Sequence, residues 1–341
     1  MPRKITGMEA LNRSRILGAR LAVLYLTIGA ALLGTKAVSA HEVFITNEKD
    51  NSISVIDSAR LEVVRTIRVG ERPRGVIASK DGETVFVCTS DSNEIMALNP
   101  ENGARRFELP RTADPEQLVL TPDEKLLLTT NEEDNAVTVY DMVEKQVISE
   151  VPVGVEPEGI AVSPSGEVAV ATSETTNMVH FIKLDTFDIF DNVLVAARPR
   201  VAEFSPDGRK LWVTSEVGGI ASIIDLTSRK VEKEIKFEIQ GVSPQHIQPV
   251  GVRFTKDGRT AFVALGPANR IAVVDTATAA VKKYVLVGQR VWHMTLTPDD
   301  QLLFTTNGGS NDVTVINVSS LAPVKSIKVG RQPWGATAIS R

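Results

Sequence analysis

Cysteine is almost missing from these 341 residues. Cys88 stands alone, which excludes an intramolecular disulfide framework and any Cys-rich zinc or iron–sulfur site. Histidine occurs four times, as His41, His180, His246 and His293, with no two at ligand spacing, so zinc is unsupported. Aromatic residues make up only 5%. There is no Gly-x-Ser-x-Gly elbow, no Walker loop and no Cys-x-x-Cys-His haem attachment. An excess of positive charge is also lacking: 38 Lys+Arg face 42 Asp+Glu, a net of -4, which argues against nucleic-acid binding through a broad basic surface. Helical periodicity is absent, which removes ankyrin-, TPR- and HEAT-type solenoids. The charged fraction of 23% is that of a globular chain and argues against disorder.

The one sustained apolar run, Leu21–Gly34, has 14 residues. A membrane-spanning helix needs about 20. The run follows five basic residues (Arg3, Lys4, Arg13, Arg15, Arg20) and leads to the small-residue stretch Val38-Ser39-Ala40. That order is the pattern of a secretory signal peptide, and without an Arg-Arg pair it points to the general secretory route. The expectation is cleavage after Ala40, with 1–40 removed and a mature chain of 301 residues starting at His41. The removed segment carries six basic residues and one acid, so the net charge becomes -9. An acidic exported chain with one thiol and no further apolar span fits a soluble protein of a bacterial periplasm.

The mature chain repeats itself. Its units open at Pro73, Pro115, Pro157, Pro199, Pro249, Val291 and Pro333, spaced 42, 42, 42, 50, 42 and 42 residues apart. Each unit holds four β-rich segments. A short apolar strand leads to a turn such as Ser163-Pro-Ser-Gly166 or Ser205-Pro-Asp-Gly208, built from residues that favour turns. A second strand, an alternating third one such as Ala136–Asp141, and a fourth ending in Val-Gly follow. Four strands in a unit of ~40–45 residues mark a propeller blade. His41–Asn47 matches a second strand, and Pro333–Ser340 matches a first strand with nothing after it. The fold expected is therefore an all-β, seven-bladed β-propeller over 41–341, whose C-terminal strand closes the blade begun by the N-terminus. Such closure removes exposed sheet edges.

The units read Pro-x-Gly-Ile-Ala-x-Ser-Pro-x-Gly, then Val-x-Val-x-x-Asp, then Val-Gly-x-x-Pro, most clearly at 115–157 and 157–199. With Ile45-Thr46-Asn47, Thr129-Thr130-Asn131 and Thr305-Thr306-Asn307, the chain resembles the YVTN-repeat propellers. Within that group, from signal peptide through His41-Glu-Val-Phe to the final Pro-Trp-Gly, it looks most like the PQQ-dependent catabolism-associated propeller proteins. That resemblance implies a periplasmic protein accompanying PQQ-dependent alcohol oxidation, with a dehydrogenase, a cytochrome or a transporter component as partner. It defines no molecular activity.

The residue after each opening position does not repeat: Arg74, Glu116, Glu158, Arg200, Val250, Trp292 and Trp334, with His293 beside Trp292. Sevenfold closure brings these to one rim, with Arg74 expected to pair with Glu116 and Glu158 with Arg200 as exposed ion pairs. The rim reads either as a ligand- or partner-binding ring, by charge-assisted hydrogen bonds and stacking, or as a salt-bridged closure of the channel. The eight extra residues near 238–248 fall on the same rim and bring His246 toward His293. No cofactor motif is evident, although a planar cofactor such as PQQ could stack on two indoles. A second functional class is an enzyme resembling the seven-bladed lactonases, with Arg74, Arg200, Glu116, Glu158 and His293 binding a carboxylated substrate and moving protons. Elsewhere, His180 and Cys88 read as core residues, Asp57, Asp141, Asp225 and Asp275 as turn residues, and His41 as a first residue able to chelate copper.

Overall fold

The computed structural model describes residues 41–341; the expected signal peptide, 1–40, lies outside the described residues. Twenty-eight strands form seven four-stranded antiparallel sheets among these residues. The seventh blade is shared between the chain ends. Strand Pro333–Ser340 pairs with His41–Asn47, which pairs with Ser52–Asp57 and then Glu62–Arg68. The closure is as the repeat arithmetic requires: Val43 faces Ala338, Ile45 faces Ala336, and Ala336 and Ile339 are buried.

The second and third strands of each blade are apolar on both faces because each lies between two neighbouring sheets. Seven buried clusters result among the described residues, one per blade interface. In one, Phe86, Cys88 and Ile95 meet Leu118, Leu127 and Tyr140 of the next blade. The fourth strands are mostly exposed, as in Lys230–Lys236. Blade turns use the expected chemistry. Asp57 accepts from the backbone of Ala59 and Arg60, and Asp141 from Val143 and Glu144. Gly82, Gly166, Gly208 and Gly258 take φ near +70° (68° to 77°), a conformation that costs glycine little.

The irregular unit departs from the others. Its first strand is cut to Val252–Phe254, and the extra residues carry a 3₁₀ turn at Pro244–His246. His180 is a satisfied interior residue: its ring meets Asn192 at 2.6 Å and Ser173 at 3.1 Å. His41 is likewise buried inside a strand, with its backbone nitrogen donating to Ser58 and its ring 3.4 Å from Asp299. That engagement opposes the copper-chelate reading.

Candidate functional site

A β-bulge near the start of each regular first strand sets the position of the rim residue. In the blade opening at Pro157, Pro157 faces Ser173, but the next ladder pair is Ile160 with Ala171. Glu158 and Gly159 are therefore left off the ladder, and the extra residue turns the side chain toward the channel. The same skip follows Pro73, Pro115, Pro199 and Val291. A threonine hydroxyl satisfies the groups that the bulge frees. Thr172 accepts from the Gly159 N–H at 2.8 Å and donates to the Arg200 carbonyl of the next blade at 2.8 Å. Thr46, Thr130, Thr214 and Thr306 donate likewise to the carbonyls of Arg74, Glu158, Val250 and Trp334. This is the physical role of the Thr in the Thr-Asn signature. Arg74, Glu158, Arg200, Val250 and Trp334 are pinned in this way by the preceding blade.

The rim side chains form a continuous chain of ion pairs. Arg74 Nε lies 2.8 Å from Glu116, and its far nitrogen 3.7 Å from Glu158. Arg200 reaches Glu158 at 2.9 Å, contacts Glu174 directly, and lies 3.7 Å from Glu216. The expectation of exposed pairs is wrong: Glu116 is fully buried, and Glu158 and Arg200 are 3% and 4% exposed. Side chains from neighbouring blades pack against one another here and exclude water. Trp334 is buried between Arg74, 4.5 Å from its ring centroid, and the His293 ring at 4.1 Å. Trp292 is half-buried, with Arg290 at 3.9 Å and Arg200 at 5.9 Å from its ring. His246 is exposed whereas His293 is buried, and among the described residues the His246 side chain makes no hydrogen bond or ion pair.

Several members of the network lie one register away from the residues the sequence singled out. Arg72 pairs with Asp114 at 2.9 Å and Glu116 at 3.0 Å; Arg198 with Glu174 at 2.7 Å; Arg290 with Glu216 at 2.7 Å and with Gln248 of the insertion at 2.6 Å. The signal was present in the 42-residue phase. Arg72, Arg198 and Arg290 all precede an opening position, and Glu132, Glu174 and Glu216 recur at one place after the second strand. Asp114, Glu116 and Glu132 bring carboxylate oxygens within 4.8 Å of one another, but the Arg72 guanidinium already pairs with two of the three.

Burial dominates the titration of these groups. It pushes Glu116 well above the usual carboxylate range, despite Arg74 beside it. Burial likewise raises Glu174 to about 7 against the opposing pull of Arg200. Burial, then the positive fields of Arg253, Arg200 and Arg74, hold His293 well below the ordinary imidazole value, so the ring is neutral. Among the described residues no carboxylate forms an ion pair with this ring. Cys88 is fully buried with its thiol pushed up by desolvation, and it lacks the basic partner a reactive thiolate needs.

The fold and this mouth define a seven-bladed propeller with a network of ion pairs around buried glutamates at one rim. The sequence matches the YNCE-like beta-propeller family over residues 16–162 and, overlapping, 91–250, and the chain belongs to that family. No curated protein matches it significantly. Among solved structures it is similar to a functionally unknown protein of Desulfotomaculum acetoxidans (TM-score 0.77, 18% identity, 88% of this chain and 99% of that one). It is also similar to hydrazine synthase of Kuenenia stuttgartiensis (TM-score 0.69, 19% identity, 79% and 95%). A third is a candidate 6-phosphogluconolactonase of Bacteroides uniformis (TM-score 0.74, 16% identity, 88% and 100%). At these identities the likeness is one of fold.

Proposed function

We propose that the protein is an exported, non-catalytic binding propeller that serves PQQ-dependent alcohol oxidation in the bacterial periplasm. Its mouth face docks another protein of that system, a dehydrogenase, a cytochrome or a transporter component. One observation carries this reading: the central acids of the mouth, Glu116, Glu158, Glu174 and Glu216, are buried and paired with arginines, which suits a rigid platform and not a reaction centre. General acid–base chemistry needs a titratable group within about 3 Å of the reacting proton, or one water away. Here Glu116, Glu158, Glu174 and Glu216 are each held by arginines, and among the described residues His293 has no acidic partner. The lactonase-like alternative would need one of these acids, such as Glu174 with its raised value, to be released from its arginines. No planar cofactor enters the proposal, because Arg290 covers Trp292 and Arg74 with His293 flank Trp334.

Around the ring, Glu71, Glu133 and Asp134 are exposed on loops of the same face, and the equivalent loops of the shared blade expose Lys49 and Arg331. The Glu133–Asp134 patch favours a basic element of the partner, recognised by charge complementarity that sets encounter rate and orientation. Among the described residues no helix is long and apolar enough to cross a membrane.

The test is a pull-down from the periplasm of ethanol-grown cells. Wild-type protein should retain a component of the oxidation system. Glu133→Lys with Asp134→Lys should lose it without a change in melting temperature. Equal capture by both proteins, or lactone hydrolysis by the wild type, would sink the reading. Mass spectrometry of the exported protein should find His41 as its first residue.

A further inference from the structure

Deeper in the channel than the ion-pair ring lies a small cavity of about 40 Å³. Gly75, Gln117, Arg253, His293, Trp334 and Gly335 are among its walls. Three of these residues carry a buried nitrogen without a hydrogen-bond partner: Trp334 Nε1, His293 Nε2 and Gln117 Nε2. Trp334 and His293 are only 2% and 5% exposed. An indole nitrogen and an amide –NH₂ only donate, a guanidinium is a permanent cation, and a neutral imidazole has one N–H to give beside one accepting nitrogen. Arg253 spends one nitrogen on Glu203 at 2.9 Å and on its neighbour's carbonyl, and no carboxylate lines the cavity. Buried donors are normally paired, and a group of them left orphaned around one void asks for a shared acceptor.

We propose that the central channel binds a small monovalent anion, of chloride to formate size, cradled by Trp334, His293, Gln117 and Arg253. The size follows from the void. A water molecule's share of volume is about 30 Å³, so there is room for one small ion and none for a sugar or a planar cofactor. The sign follows from the lining: Trp334 Nε1 and Gln117 Nε2 are unpaired donors, the Arg253 guanidinium is a permanent cation, and no carboxylate lines the inner cavity. The route in is from the mouth opposite the ion-pair ring. A wider cavity of about 520 Å³ opens there and shares Ile77, Gln117, Leu118 and Arg253 with the inner one. This site is independent of the docking reading, because Glu133 and Asp134 line neither cavity.

Sodium bromide and sodium formate are the probes, titrated calorimetrically against the full mature protein in a halide-free buffer, with formamide as a neutral control. Saturable binding of both anions and none of formamide is expected, together with an anomalous bromide peak between Trp334 and His293 in soaked crystals. Gln117→Leu and Trp334→Phe each remove one donor while keeping the bulk of the side chain. Each should weaken bromide binding at least tenfold, and circular dichroism would confirm that the fold survives. A cavity holding only water with no binding heat, or affinity unchanged in both folded variants, would overturn the proposal.

Discussion

Thr172 shows how one hydroxyl links two blades. It satisfies an N–H inside its own blade and a carbonyl of the next, both in water-free surroundings. Leaving such buried groups unpaired costs about 1–3 kcal/mol each, so Thr172→Val is expected to destabilise the protein by about 2 kcal/mol or more in denaturant titrations. Position 88 is the same register in a blade that carries cysteine instead, where Sγ finds only a 3.9 Å contact with Thr129. Cys88→Thr is expected to raise the melting temperature by supplying the missing link to the Glu116 carbonyl. Glu174 gives a pH prediction. Its folded value, about 7, stands above the ordinary 4.5, so the folded state holds this proton more tightly than the unfolded chain. The stabilising effect of that proton is complete below pH 4.5 and is lost as pH rises toward 7. Glu174→Gln, which cannot ionise, should therefore gain on the wild type in melts run from pH 5 to pH 8. A wild type that gains on the variant over that range would reverse the sign.

At the scale of elements, the approach to each first strand is built by a cap the sequence repeats openly. Arg72, Asp114, Glu156, Arg198, Arg290 and Gln332 all adopt φ between 42° and 58°. Each donates its backbone N–H to an asparagine 21 residues earlier: Asn51, Asn93, Asn135, Asn177, Asn269 and Asn311. The series breaks once, at Gly219, where that asparagine would stand, and the following linker is the one that carries the insertion. A loop freed from its cap can lengthen at little cost, because loop-closure entropy grows slowly with length. The closing strand is the other decisive element. Deleting residues 333–341 removes the inner strand of the shared blade and exposes the edge at His41–Asn47. The truncated chain is expected to melt much lower and to self-associate, measured by calorimetry and light scattering. An unchanged melting temperature would mean that closure contributes nothing.

For the whole molecule, the ring at the mouth is both a seal and a risk. Removing one partner of a buried ion pair leaves an uncompensated charge and costs about 3–5 kcal/mol. Arg200→Ala is therefore expected to destabilise the fold severely, because Glu158, Glu174 and Glu216 all lie around that guanidinium. Thermal melts beside the exposed control Arg331→Ala would check this; equal melting of the two would show the ring to be energetically idle. Arg74→Ala with Arg200→Ala, the natural choice if these residues were exposed, would confuse loss of folding with loss of binding. For that reason docking is better probed at Glu133 and Asp134.

The sequence by itself determined the architecture. A 42-residue phase, turn chemistry at fixed offsets and mismatched chain ends leave little besides a seven-bladed ring closed by its last strand, because period and register are local properties. It also brought Arg74, Glu116, Glu158, Arg200, Trp292 and Trp334 to one mouth, since equivalent positions must converge in a closed ring. Burial was decided only by tertiary structure. Whether Arg200 meets water depends on the channel radius and on Glu174 and Glu216 arriving from other loops, and no single repeat contains that information. The same holds for the second layer. His293, Gln117 and Arg253 come from three blades and share a cavity wall only because the channel narrows enough to bring them within reach of one another.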